Sequence, residues 1–309
     1  DTLIILKQCA TSDENPDARQ TAVRQLAQGW KDDPDTLPWL KSLIQSDEHP
    51  NVREAGVEEL AKFWKDDPET LPWLKSLTNA DNWIMRGAVM IQLVKIWKDD
   101  SDTLNIVKSF AQSDEHWAVR GEAIEHLAEG WKDNPEILPI LKLCAQSDKN
   151  WGVRQQAVHQ IAKGWKDNFD VLDWLKTCVQ NDSDSVAEQV TVEELARDWK
   201  NHPKTLPWLK SLVLSDDDWF VRQGLMPELA KRWKYEPGMF EFFRDLAIQD
   251  NFEREADWQG NPRQTSLEVI IEHYPNHPQT LPLLRDRAEN DPDEQVREFA
   301  QKKLAQLEK

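Results

Sequence analysis

A tryptophan followed by lysine recurs at Trp30, Trp64, Trp97, Trp131, Trp165, Trp199 and Trp233, at steps of 34, 33, 34, 34, 34 and 34 residues. A period held over most of a chain dictates a tandem array, in which each short unit buries its apolar face against its neighbours and not around one central core. Such an array has no single pocket that the whole fold is built around. Its expected work is therefore contact with another molecule.

Each period holds two helical patterns. Leu37, Leu40, Leu43 and Ile44 follow the three-four spacing of an amphipathic helix, and Val52, Val57, Leu60, Ala61 and Trp64 repeat it after the polar break Ser46-Asp47-Glu48-His49-Pro50. Pro50 suits a first helical turn, and Lys65-Asp66-Asp67-Pro68 separates one unit from the next. Pro38, Pro72, Pro139 and Pro207 place helix starts just before them, which predicts Thr36, Thr70 and Thr205 as caps. Counting this way gives about nine helix pairs between residues 2 and 307 and requires no strand. The expected fold is an all-α, right-handed α-solenoid forming one domain over 1–309, irregular at 181–199 and 250–261.

Columns spaced by one repeat sort core from surface. Cys9, Leu43, Leu77, Phe110, Cys144, Cys178 and Leu212 share an apolar column, so the three cysteines read as small core hydrophobes and not as a disulfide or zinc framework. The column Ile5, Trp39, Trp73, Ile106, Ile140, Trp174, Trp208, Phe242 and Leu283 is also apolar and reads as core. By contrast, the column of Trp83 holds Pro16, Pro50, Trp83, Trp117, Trp151, Ser185, Trp219, Gly260 and Glu294, a mixture that no buried site tolerates. Trp83, Trp117 and Trp151 thus fall on three consecutive layers, roughly 10 Å apart, along one partly exposed edge. Tryptophan is enriched at binding hot spots, so the edge is a candidate contact stripe for a protein or other macromolecular ligand. Its bland alternative is that each ring lies over its own turn.

Charge narrows the partner. The chain carries 38 Lys and Arg against 56 Asp and Glu, net −18, with 39% hydrophobic residues. Nonspecific nucleic-acid affinity comes mostly from basic side chains displacing counterions, so nucleic acid is not the expected partner. One basic residue per layer does recur, at Lys7, Lys41, Lys75, Lys108, Lys142, Lys176, Lys210, Arg244 and Arg285. Acidic turns such as Asp66-Asp67 would cancel most of its field. The second-helix surface, expected to include Arg24, Glu58, Ile91, Glu125, His159, Glu193, Glu268 and Lys302, is net acidic. No run of 18 apolar residues and no signal pattern appear, which predicts a soluble cytoplasmic protein with no membrane partner. The sequence lacks a Gly-rich phosphate loop, His-Glu-x-x-His and Cys-x-x-Cys, and the seven histidines read as unrelated positions. No catalytic residue, metal or cofactor is expected.

The phrase Ser46-Asp47-Glu48-His49-Pro50-Asn51-Val52-Arg53, with an Asp six residues before an Arg, resembles the signature of HEAT repeats. The pair recurs at Asp13 and Arg19, Asp47 and Arg53, Asp114 and Arg120, Asp148 and Arg154, Asp216 and Arg222, Asp257 and Arg263, and Asp291 and Arg297. In that family the resemblance implies a structural ladder, with carboxylate and guanidinium bridging neighbouring layers. Three units depart from the pattern. Ala80 occupies the Asp position in a third repeat one residue short, and Ala187 and Glu188 replace Val-Arg in the sixth, which predicts a weak seam there. Between Trp233 and Tyr274 the step is 41 residues, an insertion around Asn251 to Gly260 that carries Phe252 and Trp258. With Trp219 these are further candidate contacts, although a loop folded over the layer beneath is the plainer expectation.

The spelling Trp-Lys-Asp-Asp-Pro-Asp-Thr-Leu-Pro at Trp30 to Pro38 is similar to the C-terminal HEAT arrays of bacterial, especially cyanobacterial, NACHT (STAND) signalling ATPases. That resemblance implies a sensor arm for a ligand, with an ATPase in an upstream domain of the same polypeptide. The abrupt apolar start Leu3-Ile4-Ile5-Leu6 leads to the same expectation of a preceding portion. A generic assembly scaffold is the alternative. A HEAT-like DNA glycosylase is a further one by analogy of fold, disfavoured by the acidic charge.

Overall fold

The structure, a computed structural model, describes residues 2–166, 168–181, 192–193, 195–215 and 219–307. Among them there are helices and turns and no strand. The chain divides into two compact units, Asp1–Gly164 and Trp165–Lys309. The first holds five layers, with first helices Thr2–Ser12, Thr36–Ser46, Thr70–Ser76, Thr103–Ser113 and Ile137–Ser147 and second helices Pro16–Gly29, Pro50–Phe63, Trp83–Ile96, Trp117–Gly130 and Trp151–Gly164. The second unit begins with Phe169–Asn181. Its next layers are Thr205–Ser215 with Trp219–Trp233, Met239–Gln249 with Pro262–His273, and Thr280–Asn290 with Glu294–Leu307. In each layer whose two helices are described, the first helix packs on the second, and within each unit successive described second helices pack on one another. This is the stacked arrangement of an α-solenoid.

The two turns of each layer are built by side chains as much as by backbone. Between the helices of a layer, the carboxylate of Asp13, Asp47, Asp114 or Asp148 accepts the N–H two residues on, at 2.8–2.9 Å. The residue before the second helix then caps it. Asn15 and Asn82 do so with Oδ1 at 2.9 Å, and His49 and His116 with Nδ1 at 3.3 Å. Pro16 and Pro50 follow the cap at the first helical position, where the missing N–H costs nothing.

Between layers, the signature tryptophan closes the preceding helix. The Trp30 N–H donates to Leu26 O and the Trp30 carbonyl accepts from Asp33 N, and Trp64 and Trp97 do the same in their layers. Asp33, Asp67 and Asp100 then accept the N–H two residues on, at 2.9–3.1 Å. The threonines do not cap, contrary to expectation. Thr36, Thr70 and Thr205 are the first helical residues and are buried; the Thr36 and Thr205 hydroxyls have no partner, and that of Thr70 reaches only Asp67 at 3.5 Å. The turn residue three positions upstream, Asp33, Asp67 or His202, accepts the N–H that precedes each threonine and leaves the hydroxyl free to point inward.

The core is narrower than the columns imply. Leu40, Leu74, Val107, Leu141, Leu175, Leu209, Phe243 and Leu284 are fully buried. The residue just before each, the Trp39 column read as core, is instead only half-buried at Trp39, Trp73, Ile106, Ile140, Trp174 and Phe242, and Ile5 is exposed. Only Trp208 and Leu283 of that column are buried. An amphipathic helix one face wide buries two positions per turn, and this column lies at the margin of that face. The cysteine column does fall in or beside the core, with Leu43, Phe110, Cys144 and Leu212 buried and Cys9, Leu77 and Cys178 half-buried.

Candidate functional site

The Asp-Arg pairs form a ladder, but each arginine reaches forward. Arg19 Nε and Nη2 donate to the two oxygens of Asp47 in the next layer, both at 3.0 Å, while Nη1 donates to the carbonyl of its own Asp13 at 2.8 Å. Arg86 holds Asp114 at 2.7 Å through both nitrogens, and Arg120 holds Asp148 at 2.6 and 2.8 Å. A planar fork matched to a carboxylate is the strong form of this bond. Burial alone pushes the Asp114 and Asp148 carboxyls up, yet the facing guanidinium and the backbone N–H together hold both below the usual carboxylate range.

Two rungs differ from expectation. Asp257 is no rung: it is exposed in the insertion, and Asp250 takes the place, accepting from Arg222 Nη1 at 2.6 Å. Arg263 then donates to the carbonyls of Asp250 and Phe252 and to both oxygens of Asp291. The insertion lies between this Asp and Arg, so a search for an Asp six residues upstream finds the wrong one; counting one period from Asp216 finds Asp250. Arg53 reaches no carboxylate. Arg154 and Arg297 donate to their own layers' Asp148 and Asp291 carbonyls at 3.1 and 2.6 Å. Asp216, and the expected seam at Ala187 and Glu188, lie outside the described residues.

Trp83, Trp117 and Trp151 begin three consecutive second helices and are 40%, 54% and 48% exposed. The first two do not stand alone. The Trp83 ring lies over His116, the cap of the next layer, with centroids 4.0 Å apart and planes 7° from parallel; His116 in turn faces Trp117 at 5.7 Å. His116 was missed in the sequence because the histidines read as unrelated. In fact His49 and His116 share the cap column with Asn15, Asn82 and Asn150, all small polar acceptors one period apart.

In the second unit, Trp219 is half-buried beneath the insertion. Phe252 and Trp258 approach it at centroid distances of 6.2 Å each, and Trp258 remains 78% exposed. The loop is anchored to the following layer by Arg254 Nε and Asn261 Nδ2, both 3.0 Å from Asp293 Oδ2. Gln259 Oε1 ties its two ends by accepting from Glu255 and Ala256 N–H groups. Phe252 therefore serves the folded-over loop, whereas Trp258 is displayed by it.

The lysine column is consumed within the array. Where the next layer offers an aromatic ring, the ammonium lies over it: Lys7 on Trp39 at 5.9 Å, Lys41 on Trp73 at 5.5 Å, Lys176 on Trp208 at 5.7 Å and Lys210 on Phe242 at 5.0 Å. Where it offers isoleucine, the lysine turns to an acid: Lys75 to Asp100 and Asp102 at 2.5 and 2.7 Å, and Lys108 to Glu136. On the second-helix surface none of the eight expected residues is buried. Burial first, and then the charges of Glu125 and Glu54, push the Glu122 carboxyl up. Among the described residues no three or more His, Cys, Asp or Glu gather in a metal-binding arrangement, and no helix is long and apolar enough to cross a membrane.

Stacked two-helix layers, joined by a forward-reaching Asp-Arg ladder, define an α-solenoid of repeats. The sequence profile of HEAT repeats matches residues 5–94 and 104–196, more than half of the chain, and the chain belongs to the HEAT-repeat family. The comparison with curated proteins gave no match. Among solved structures the chain is similar to Kap121p, with TM-score 0.60 and 14% identity over 96% of this chain and 36% of that one. It is similar to Kap121p bound to Pho4p at TM-score 0.61 and 16% identity, again over 96% and 36%. It is also similar to Kap95p in its structure with RanGDP, at TM-score 0.61 and 16% identity over 96% and 45%. At these identities the likeness is one of fold, and the chain spans less than half the length of these proteins.

Proposed function

We propose that the chain is a non-enzymatic recognition solenoid that binds a protein or other macromolecular ligand. It is the cytoplasmic C-terminal sensor arm of a larger NACHT (STAND) signalling or defence protein, with its ATPase in an upstream domain. The observation that carries the recognition reading is the row of indoles at Trp83, Trp117 and Trp151, each 40–54% exposed at the same place in three successive layers. Large aromatic rings left half in water on a repeated edge have more apolar surface to bury on a partner than a solvated face needs. Trp258, displayed by an anchored loop, adds a second such point. The solved structures of similar fold support the reading to the extent that Kap121p binds Pho4p and Kap95p binds RanGDP. The sensor assignment rests on the spelling from Trp30 to Pro38.

Two measurements test it. The gene upstream of residue 1 should encode a nucleotide-binding ATPase with a phosphate-binding loop; a gene without one removes the sensor assignment and leaves an assembly scaffold. Replacing Trp83, Trp117 and Trp151 by Ala should abolish ligand binding while helicity persists. Undiminished binding would move recognition away from this edge.

A further inference from the structure

Among the described residues, the rung at Arg53 is empty. Arg53 is the fourth residue of its second helix, the place held by Arg19, Arg86, Arg120 and Arg222 in theirs. Those four, and Arg263, each donate to an aspartate of the following layer. For Arg53 the following layer supplies Ala80. That layer is one residue short, its first helix ending in a 3-10 turn at Leu77–Asn79, and the Ala80 carbonyl is taken by Arg86 at 2.7 Å. Asp81, one residue further on, is exposed and makes no bond to Arg53. The Arg53 side chain has neither ion pair nor hydrogen bond, and its Nε is shielded from water without an acceptor.

A guanidinium cannot shed its charge, so an unpaired one in a half-buried place remains an unmet demand for an oxyanion. The neighbouring rungs show what meets it: a carboxylate gripped by Nε and Nη2. The first turn of a helix, where Arg53 sits, also favours an anion. We propose that Arg53 is a socket for a carboxylate supplied in trans, completing the missing rung between the second and third layers. Resting on the recognition reading, the socket takes an Asp or Glu side chain or a chain-terminal carboxylate of the bound partner. A free small carboxylate shares the chemistry and is separated by the test.

The test follows the Arg53 Nε–H resonance in the whole chain labelled with 15N-arginine, identified by its disappearance in Arg53→Lys. Acetate, the peptides acetyl-Ala-Asp-Ala-amide and acetyl-Ala-Ala with a free C-terminus, and inorganic phosphate are titrated separately. The expected result is a saturable shift with the carboxylate peptides, about tenfold tighter than with acetate, and loss of that shift in Ala80→Asp, whose own carboxylate fills the rung and raises the melting temperature. Acetate binding as tightly as the peptides would assign the socket to a free metabolite and overturn the partner source. A response to phosphate alone, or to no probe, would overturn the carboxylate socket. So would an Asp81→Asn variant that moves the resonance in the unliganded protein, because it would show that Asp81 already fills the rung. Binding lost in Ala80→Asp but kept in the triple tryptophan variant would show the socket standing while the aromatic edge fails.

Discussion

The Trp83 indole lies flat on the His116 imidazole, with centroids 4.0 Å apart, although the two residues belong to successive layers. The ring therefore works in two directions. One face joins the third layer to the cap of the fourth, where His116 Nδ1 accepts the Ala118 N–H, and the rest stays in water. Among the described residues no ring stacks on Trp151, which is 48% exposed against 40% for Trp83.

This difference predicts different costs. Trp83→Ala is expected to lose the aromatic stack, about 0.5–1.5 kcal/mol, in urea unfolding. Trp151→Ala is expected to change stability by less than about 0.5 kcal/mol. Equal losses would mean that the whole edge is structural.

The ladder predicts a larger effect. Asp148→Ala strands Arg120, whose guanidinium is almost wholly buried, and is expected to cost about 3–5 kcal/mol. Hydrogen exchange in Trp117–Gly130 and Trp151–Gly164 checks this layer by layer, since an array need not unfold in one step. Unchanged protection in both helices would show the rung to be dispensable.

The same rungs set the acid response. Asp114 and Asp148 are held below the unfolded carboxylate value of about 3.9, so the unfolded chain takes up protons first as pH falls. Their contribution is complete above that value and is lost as pH drops through the lower, folded values. Melting temperature should fall below about pH 4, and the fall should be shallower in the double variant Asp114→Asn, Asp148→Asn. An identical pH profile in that variant would refute the assignment.

Two glycines inside second helices should respond with opposite signs. A Cβ at Gly56 would meet Ile44 Cγ1 at 2.5 Å, whereas at Gly121 it would meet nothing within 4 Å. Gly56→Ala is expected to destabilise by about 1–3 kcal/mol through overpacking. Gly121→Ala should stabilise by about 0.4–1 kcal/mol, because alanine narrows the unfolded ensemble. Thermal melts of the two variants should bracket the parent.

Cys144 should be chemically silent. Its thiol is buried and, mainly for that reason, is pushed up to about 11, so near pH 8 roughly one molecule in a thousand carries the thiolate. Iodoacetamide should label it only after denaturation. Rapid labelling of the native protein would show that the layer opens readily.

Much of this was legible in one sequence because a repeat supplies its own comparison. The apolar spacing at Leu40, Leu43 and Ile44, and the mixed column of Trp83, are local patterns that a helix converts directly into buried and exposed faces. Reading failed where a side chain's partner lies outside its own unit. Asp257 satisfied the six-residue spacing but sits in the insertion, and Thr36 looked like a cap although Asp33 organises that turn. The cap column joining His49 and His116 was hidden by the change of residue type to asparagine.

The sequence by itself determined the period, two helices per unit and the residue types that return to each position, because helical periodicity and turn chemistry act over a few residues. Only the tertiary structure decided which layer each side chain answers to: Arg19 to Asp47, Lys41 to Trp73, Trp83 to His116, and Arg53 to none. That choice depends on how far one layer is displaced over the next, and a single missing residue before Ala80 is enough to leave a guanidinium with no carboxylate to hold.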